Sequence, residues 1–282
     1  MAGDIAGDIG RDDGKIVRYH YARLDAFLAI LRSRCLFQTD IRFLNDASEF
    51  NHAKQIFGDW LQQQGLAATN ETQRLQNRLN EHPVFLTSFA AHGDSQPLWE
   101  SYVGRRAGVS IEIDLSKWDL YETFYQRRII DVVYANDFEQ VLQSTNWIAS
   151  EFFDQGDTDG ERWLSKIALG NLAGIKHPSW SSERETRLVS VGDPRDTLYR
   201  SAHNLIIPYQ ETTFGGRSGT PQLQREAANG KRVSSLLLPI SKVTVGPFGD
   251  ADLISLGIEE AMLALGYDAE CEIVCSELPL RH

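Results

Sequence analysis

The run Val84-Phe85-Leu86-Thr87-Ser88-Phe89 constrains the fold most. It is short, apolar and aromatic, and His92-Gly93-Asp94-Ser95 breaks it, so it reads as a strand. Other short strand signals recur along the chain: Val17–Tyr21, Leu36–Thr39, Gly108–Asp114, Arg128–Tyr134, Arg187–Val191, Leu205–Ile207, Ser234–Ile240, Lys242–Val245 and Glu270–Cys275. Helical periods fall irregularly among them. Leu24, Phe27, Leu28 and Leu31 share one helical face. A helix capped by Asp46 or Ser48 follows the Arg42–Asp46 loop and runs to about Gln64, with Phe50, Ile56, Phe57, Trp60 and Leu61 as its apolar positions. A polar helix is expected over about 70–81, a helical turn over Pro97–Tyr102, and one or two helices over 138–174. Asp250 caps a last helix bearing Ile254, Ile258, Ala261, Met262 and Leu265. No composition shift marks a linker. The expectation is a tail over residues 1–15, then one α+β domain over 16–282 with helical insertions and a long loop over Thr212–Gly230.

A formal charge of −11 disfavours a general nucleic-acid coat, though Arg32/Arg34, Arg105-Arg106 and Arg127-Arg128 are local basic pairs. The cysteines, Cys35, Cys271 and Cys275, make no disulfide framework. Cys271 and Cys275 lie in an apolar alternating strand and read as core thiols rather than a zinc site. No run reaches the ~18 apolar residues of a membrane span, and the acidic start has no signal-peptide pattern. A cytoplasmic location is therefore expected. The phosphate-binding, dinucleotide-binding, nucleophile-elbow and zinc-protease motifs are all absent, and the histidines are scattered.

Three pieces carry candidate chemistry. His20 stands between Tyr19 and Tyr21 on the first strand. Ser88-Phe89 is followed by Trp99 and Tyr102. Glu183-Arg184-Glu185-Thr186-Arg187 opens a strand, where alternate side chains share a face. Taken singly, each piece has a plainer reading: a satisfied strand histidine, core aromatics, and a surface ion pair.

Their order resembles a family. Tyr19-His20-Tyr21, Arg42-Phe43-Leu44-Asn45-Asp46 with Glu49-Phe50, Ser88-Phe89, Leu98-Trp99 with Tyr102, Gly108-Val109, Trp180 with Glu183, Glu185 and Arg187, and Val245-Gly246-Pro247 together resemble the bacterial domain-of-unknown-function family numbered 2971. The resemblance extends over about residues 17–280. That family is similar to the ADP-ribosyltransferase superfamily. The resemblance implies a split, mostly antiparallel β-core that grips NAD as substrate, with no metal.

It also implies roles. His20 contacts a ribose of NAD beside Tyr21. Glu185 orients the nicotinamide ribose, and Glu183 serves the acceptor. Trp99, Tyr102 or Phe43 stacks nicotinamide. In a second branch of the superfamily, Ser88 would be the middle residue and Arg18 its partner. Cleavage of the nicotinamide–ribose bond passes through an oxocarbenium-like centre, which needs a carboxylate near the ribose. Arg42, Arg187 or Arg105 would bind the pyrophosphate. The acceptor would be a protein or nucleic acid, or water in a glycohydrolase. A toxin or phage-defence effector with an antitoxin or immunity partner fits such an enzyme. The alternatives are a non-catalytic nucleotide-binding or interaction module, and a nuclease using Asp40, Asp46 and Glu49 as metal ligands.

Overall fold

The computed structural model describes residues 15–44, 47–63, 82–117, 127–144, 170–192, 197–202, 204–213, 237–267 and 271–278. Residues 1–14 of the expected tail over 1–15, the polar helix at 70–81, and all but Thr212 and Thr213 of the Thr212–Gly230 loop lie outside the described residues.

The fold is mixed α+β. Ten strands form one sheet: β1 (Val17–Arg23), β2 (Cys35–Asp40), β3 (Val84–Ala90), β4 (Gly108–Asp114), β5 (Arg127–Asp131), β8 (Glu185–Val191), β9 (Leu198–Ala202), β10 (Leu205–Thr213), β11 (Ile240–Val245) and β12 (Glu272–Cys275). One path runs β12-β11-β4-β1-β3-β2-β10-β9, and β8 with β5 branches from β3. Pairings are antiparallel except β11 with β12. A separate parallel pair joins β6 (Val133–Tyr134) to β7 (Ile175–Lys176).

Helices cover both faces. On one, α1 (Leu24–Ser33) and α4 (Ala251–Ala264) bury Phe27, Leu31, Ile258 and Met262 against Ile111, Val243 and Leu188. Asp250 caps α4, its side chain accepting from the Leu253 amide at 3.1 Å, as its place before the apolar period predicts. Arg34 adopts the left-handed conformation (φ 55°) and closes α1. On the other face, α2 (Ala47–Gln63) and α3 (Phe138–Ser144) bury Phe50, Ile56, Phe57, Phe138 and Val141 against Val84, Leu86 and Val189. Among the described residues, no helix is long and apolar enough to cross a membrane.

Several expectations shift. The run Arg128–Tyr134 is two strands: β5 ends at Asp131, the Val132 amide still donates to the Glu185 carbonyl, and β6 then pairs with β7 outside the main sheet. Over Ser234–Ile240 the described residues 237–239 are irregular, and β11 begins only at Ile240. Cys271 is half-buried against the core, whereas Cys275 is exposed and is not a core thiol: β12 is an edge strand and shields little.

Candidate functional site

The β-sheet divides at β3. One edge of β3 is paired along its length by β8, from Val84 with Val191 to Ala90 with Glu185. Its other edge is shared. β2 pairs there only at Leu86 and Phe85, and β1 only at Ala90. Between these points β1 and β2 diverge, each toward its own partner, β4 or β10. Backbone groups facing such a gap need substitute partners. Side chains supply them: His20 Nδ1 lies 3.0 Å from the Ser88 carbonyl, and the Thr87 hydroxyl donates to the Phe37 carbonyl at 3.0 Å. The gap opens a cleft of about 480 Å³, within the range of small-molecule sites.

A carbonyl only accepts, so His20 carries its proton on Nδ1, and Nε2 is the acceptor of the neutral ring. Burial lowers the His20 pKa, against the opposing pull of the Ser88 carbonyl. The ring is therefore neutral at pH 7.

His20, Tyr21, Ser88 and Tyr102 all line the cleft. Tyr21 is buried, its hydroxyl donating to the His92 carbonyl and accepting from the Ser95 amide. Its ring stacks on Tyr102, which is 39% exposed. Trp99 is elsewhere. It is 0% exposed, meets Tyr21 edge-on and donates to Asp94 at 2.7 Å, so it is a core residue and has no face to offer a ligand. Phe43 is half-buried in a 3-10 turn outside the cleft lining.

The arginines assigned to pyrophosphate are engaged away from the cleft. Arg42 grips Asp40 through Nε and Nη2, the shortest contact being 2.6 Å. Arg187 lies inside the protein, and Arg105 is exposed on a bend outside the cleft lining. Arg18 donates to Thr186 at 2.7 Å, with Asp131 at 3.6 Å, and does not line the cleft. Asp40 of the nuclease triad is spent on Arg42.

Behind Ser88 lies a buried ionic cluster. Glu185 and Arg187 share a face of β8, as their spacing predicts. Glu183 instead ends a 3-10 turn (Pro178–Glu183), and Arg184 at φ 44° swings the chain into the strand. The two acids still meet at Lys176, whose Nζ donates to Glu183 at 2.7 Å and to Glu185 at 2.9 Å. Arg187 donates to both oxygens of Glu185, at 2.8 and 3.0 Å, and to the Ala173 carbonyl. Glu185 and Lys176 are each 3% exposed, so this is no surface pair. Burial alone would raise the Glu185 pKa. The charge and hydrogen bonds of Arg187, then Lys176 and the Ser88 hydroxyl, outweigh it and hold the group at about 2. Glu183 and Glu185 do not line the cleft; Ser88, whose influence helps lower the Glu185 pKa, does.

Two cations at this site escape sequence reading. Lys176 arrives because β6 and β7 pair beside the start of β8, where the Tyr134 hydroxyl also accepts the Glu185 amide at 2.9 Å. Arg200 stands on the cleft wall formed by β9. Its guanidinium lies over Phe37 and Tyr209, 5.6 and 5.7 Å from the ring centres, and donates to Thr39 at 2.9 Å. Only the loose polar alternation of Leu198–Ala202 hinted at that strand.

A family model described as Protein of unknown function (DUF2971) matches residues 98–188. The matched segment runs from the Trp99–Tyr102 turn through β4, β5 and β6 into β8, so it includes Tyr102, Glu183, Glu185 and Arg187. It supports that family over this stretch, narrower than the span of the resemblance. No curated protein and no solved structure matches the chain.

Proposed function

We propose that the chain is an NAD-dependent ADP-ribosyltransferase-like enzyme, and that its divided sheet is the NAD-gripping core of that superfamily. One observation carries the reading: β1 and β2 part at the edge of β3 and hold His20, on the first strand, in the resulting cleft. His20 Nε2 accepts from a ribose hydroxyl. The exposed face of Tyr102 stacks the nicotinamide ring. The C1′–N bond breaks with its electron pair leaving on nicotinamide, and the acceptor nucleophile bonds C1′ and gives up its proton to solvent. Both oxygens of Glu185 are already bonded. It therefore acts as a positioning residue behind Ser88, which lines the cleft. Glu183, bonded to Lys176, is assigned to the acceptor side.

The test is release of nicotinamide from labelled NAD in the presence of cell lysate, followed by tracing the label to protein, nucleic acid or free ADP-ribose. His20→Ala is expected to lose release by at least about tenfold while keeping the wild-type circular dichroism, since it removes a contact to the reacting sugar. Release at the wild-type rate by that variant overturns the assignment.

A second reading has its own support. The carboxylates expected to act on NAD are tied up, Glu185 by Lys176 and Arg187 and Glu183 by Lys176, and neither lines the cleft. A module that binds a nucleotide without cleaving it would look the same. Tight NAD binding with no nicotinamide release selects this reading.

A further inference from the structure

We infer that Arg200 is the anion anchor of the cleft, and that the anion it takes is the phosphate or pyrophosphate of a nucleotide. Three observations meet at this side chain. Its Nε–H is enclosed and has no acceptor, and no carboxylate pairs with it among the described residues. It lines the cleft on the wall opposite His20, because β9 ends the half-sheet that runs from β2 while β1 begins the other. Its orientation is fixed beforehand by the Thr39 hydroxyl and by the Phe37–Tyr209 pair beneath it.

A partly desolvated cation without a counter-charge is costly to keep. Burial lowers the Arg200 pKa accordingly, and a guanidinium stays charged all the same. The arrangement gains most when an oxyanion enters, since charge-assisted bonds from a pre-oriented guanidinium are strong and lose little rotamer entropy. Arg23, the other arginine in the described cleft lining, faces Asp25, and Arg18, Arg42 and Arg187 outside it each face a carboxylate. The cleft also carries the aromatic surfaces of Phe37 and Tyr102, which suit a ring-bearing ligand. A ribosyl or heterocyclic end near His20 and Tyr102 and a phosphate at Arg200 describe one ligand lying across the gap. Naming it a dinucleotide rests on the function proposed above. The anion site does not.

The experiment is calorimetric titration of the full chain with ADP-ribose, adenosine and inorganic pyrophosphate. Wild type is expected to bind ADP-ribose at least about tenfold more tightly than adenosine, with affinity falling as salt rises. Arg200→Gln is expected to lose about 10- to 100-fold toward ADP-ribose and pyrophosphate and to leave adenosine unchanged, which a merely structural role would not do. Arg200→Lys, which keeps the charge but not the fork, should recover part of the loss. ADP-ribose affinity equal to wild type in a folded Arg200→Gln protein overturns the proposal, as does the lack of any Arg200-dependent binding of either anion at millimolar concentration. Arg200-dependent binding without nicotinamide release would sink the enzymatic reading and leave the anion site standing. Nicotinamide release with an unchanged KM in Arg200→Gln would do the reverse.

Discussion

Glu185 holds two cations on one carboxylate inside the protein, and that decides what its replacement does. Glu185→Gln leaves Lys176 and Arg187 facing Glu183 alone, with an excess positive charge in a buried site. Breaking a buried pair in this way costs roughly 3–5 kcal/mol. Adding Lys176→Met restores the balance of one cation and one anion, so the double variant should be more stable than Glu185→Gln alone. Urea denaturation of the two variants checks this. A Glu185→Gln protein within about 1 kcal/mol of wild type would mean that the cluster carries little. The same carboxylate sets the acid response. Its folded pKa, about 2, lies below its ordinary 4.5. The stability it contributes is therefore full above pH 4.5 and is lost as pH falls through that value toward 2. A shift of this size corresponds to roughly 2–4 kcal/mol. The loss should be absent from the double variant's pH profile. Activity losses on changing Glu185 must be read beside this stability term, whereas His20, which surrenders one bond to the Ser88 carbonyl, gives the cleaner kinetic variant.

At the level of elements, close approach rather than side-chain pairing fixes the sheet beside the cleft. Gly108 opens β4 opposite Arg23 of β1, and a Cβ there would stand 2.5 Å from Val103 and 2.7 Å from the Ala22 carbonyl. Backbone cannot yield as a side chain tip can, so Gly108→Ala should cost about 1–3 kcal/mol. A melting curve for the variant checks it, and an unshifted midpoint would show that the β1–β4 contact relaxes freely. Much of this layer is legible in the sequence. β3 and β4 announce themselves because both faces are buried and their runs are apolar, and α4 because Asp250 caps an apolar period. β9 is not legible. As an edge strand with one neighbour it alternates Tyr199 and Ser201 into solvent and needs no apolar run. The break at Val132 is equally silent, since either continuing beside β8 or crossing to β7 satisfies the same residues. The site follows suit. His20, Ser88 and Tyr102, which their order in the chain singles out, line one cleft. Trp99 was misplaced because residue type does not separate a core ring from a cleft wall. Lys176 and Arg200 were missed because an isolated cation acquires meaning only from neighbours distant in sequence.

On the scale of the whole molecule, the division at β3 makes the cleft a junction between two half-sheets, β12-β11-β4-β1 on one side and β2-β10-β9 on the other. Direct bonding across the gap along the β3 edge is limited to a few positions. A ligand reaching from His20 to Arg200 would add the missing cross-link, whereas one seated on a single wall would not. ADP-ribose at about 100 times its Kd stabilises the folded state by about 2.7 kcal/mol, and hydrogen exchange shows where. A spanning ligand should slow amide exchange in β1 around His20 and in β9 around Arg200 together, and leave β11 and β12, which lie beyond β4, unchanged. In Arg200→Gln, at ligand concentrations that restore occupancy, protection around β9 should fall while that around His20 persists. Protection confined to one wall in the wild-type protein would show that the ligand does not bridge the half-sheets, and that the gap between β1 and β2 is not where its two ends are held.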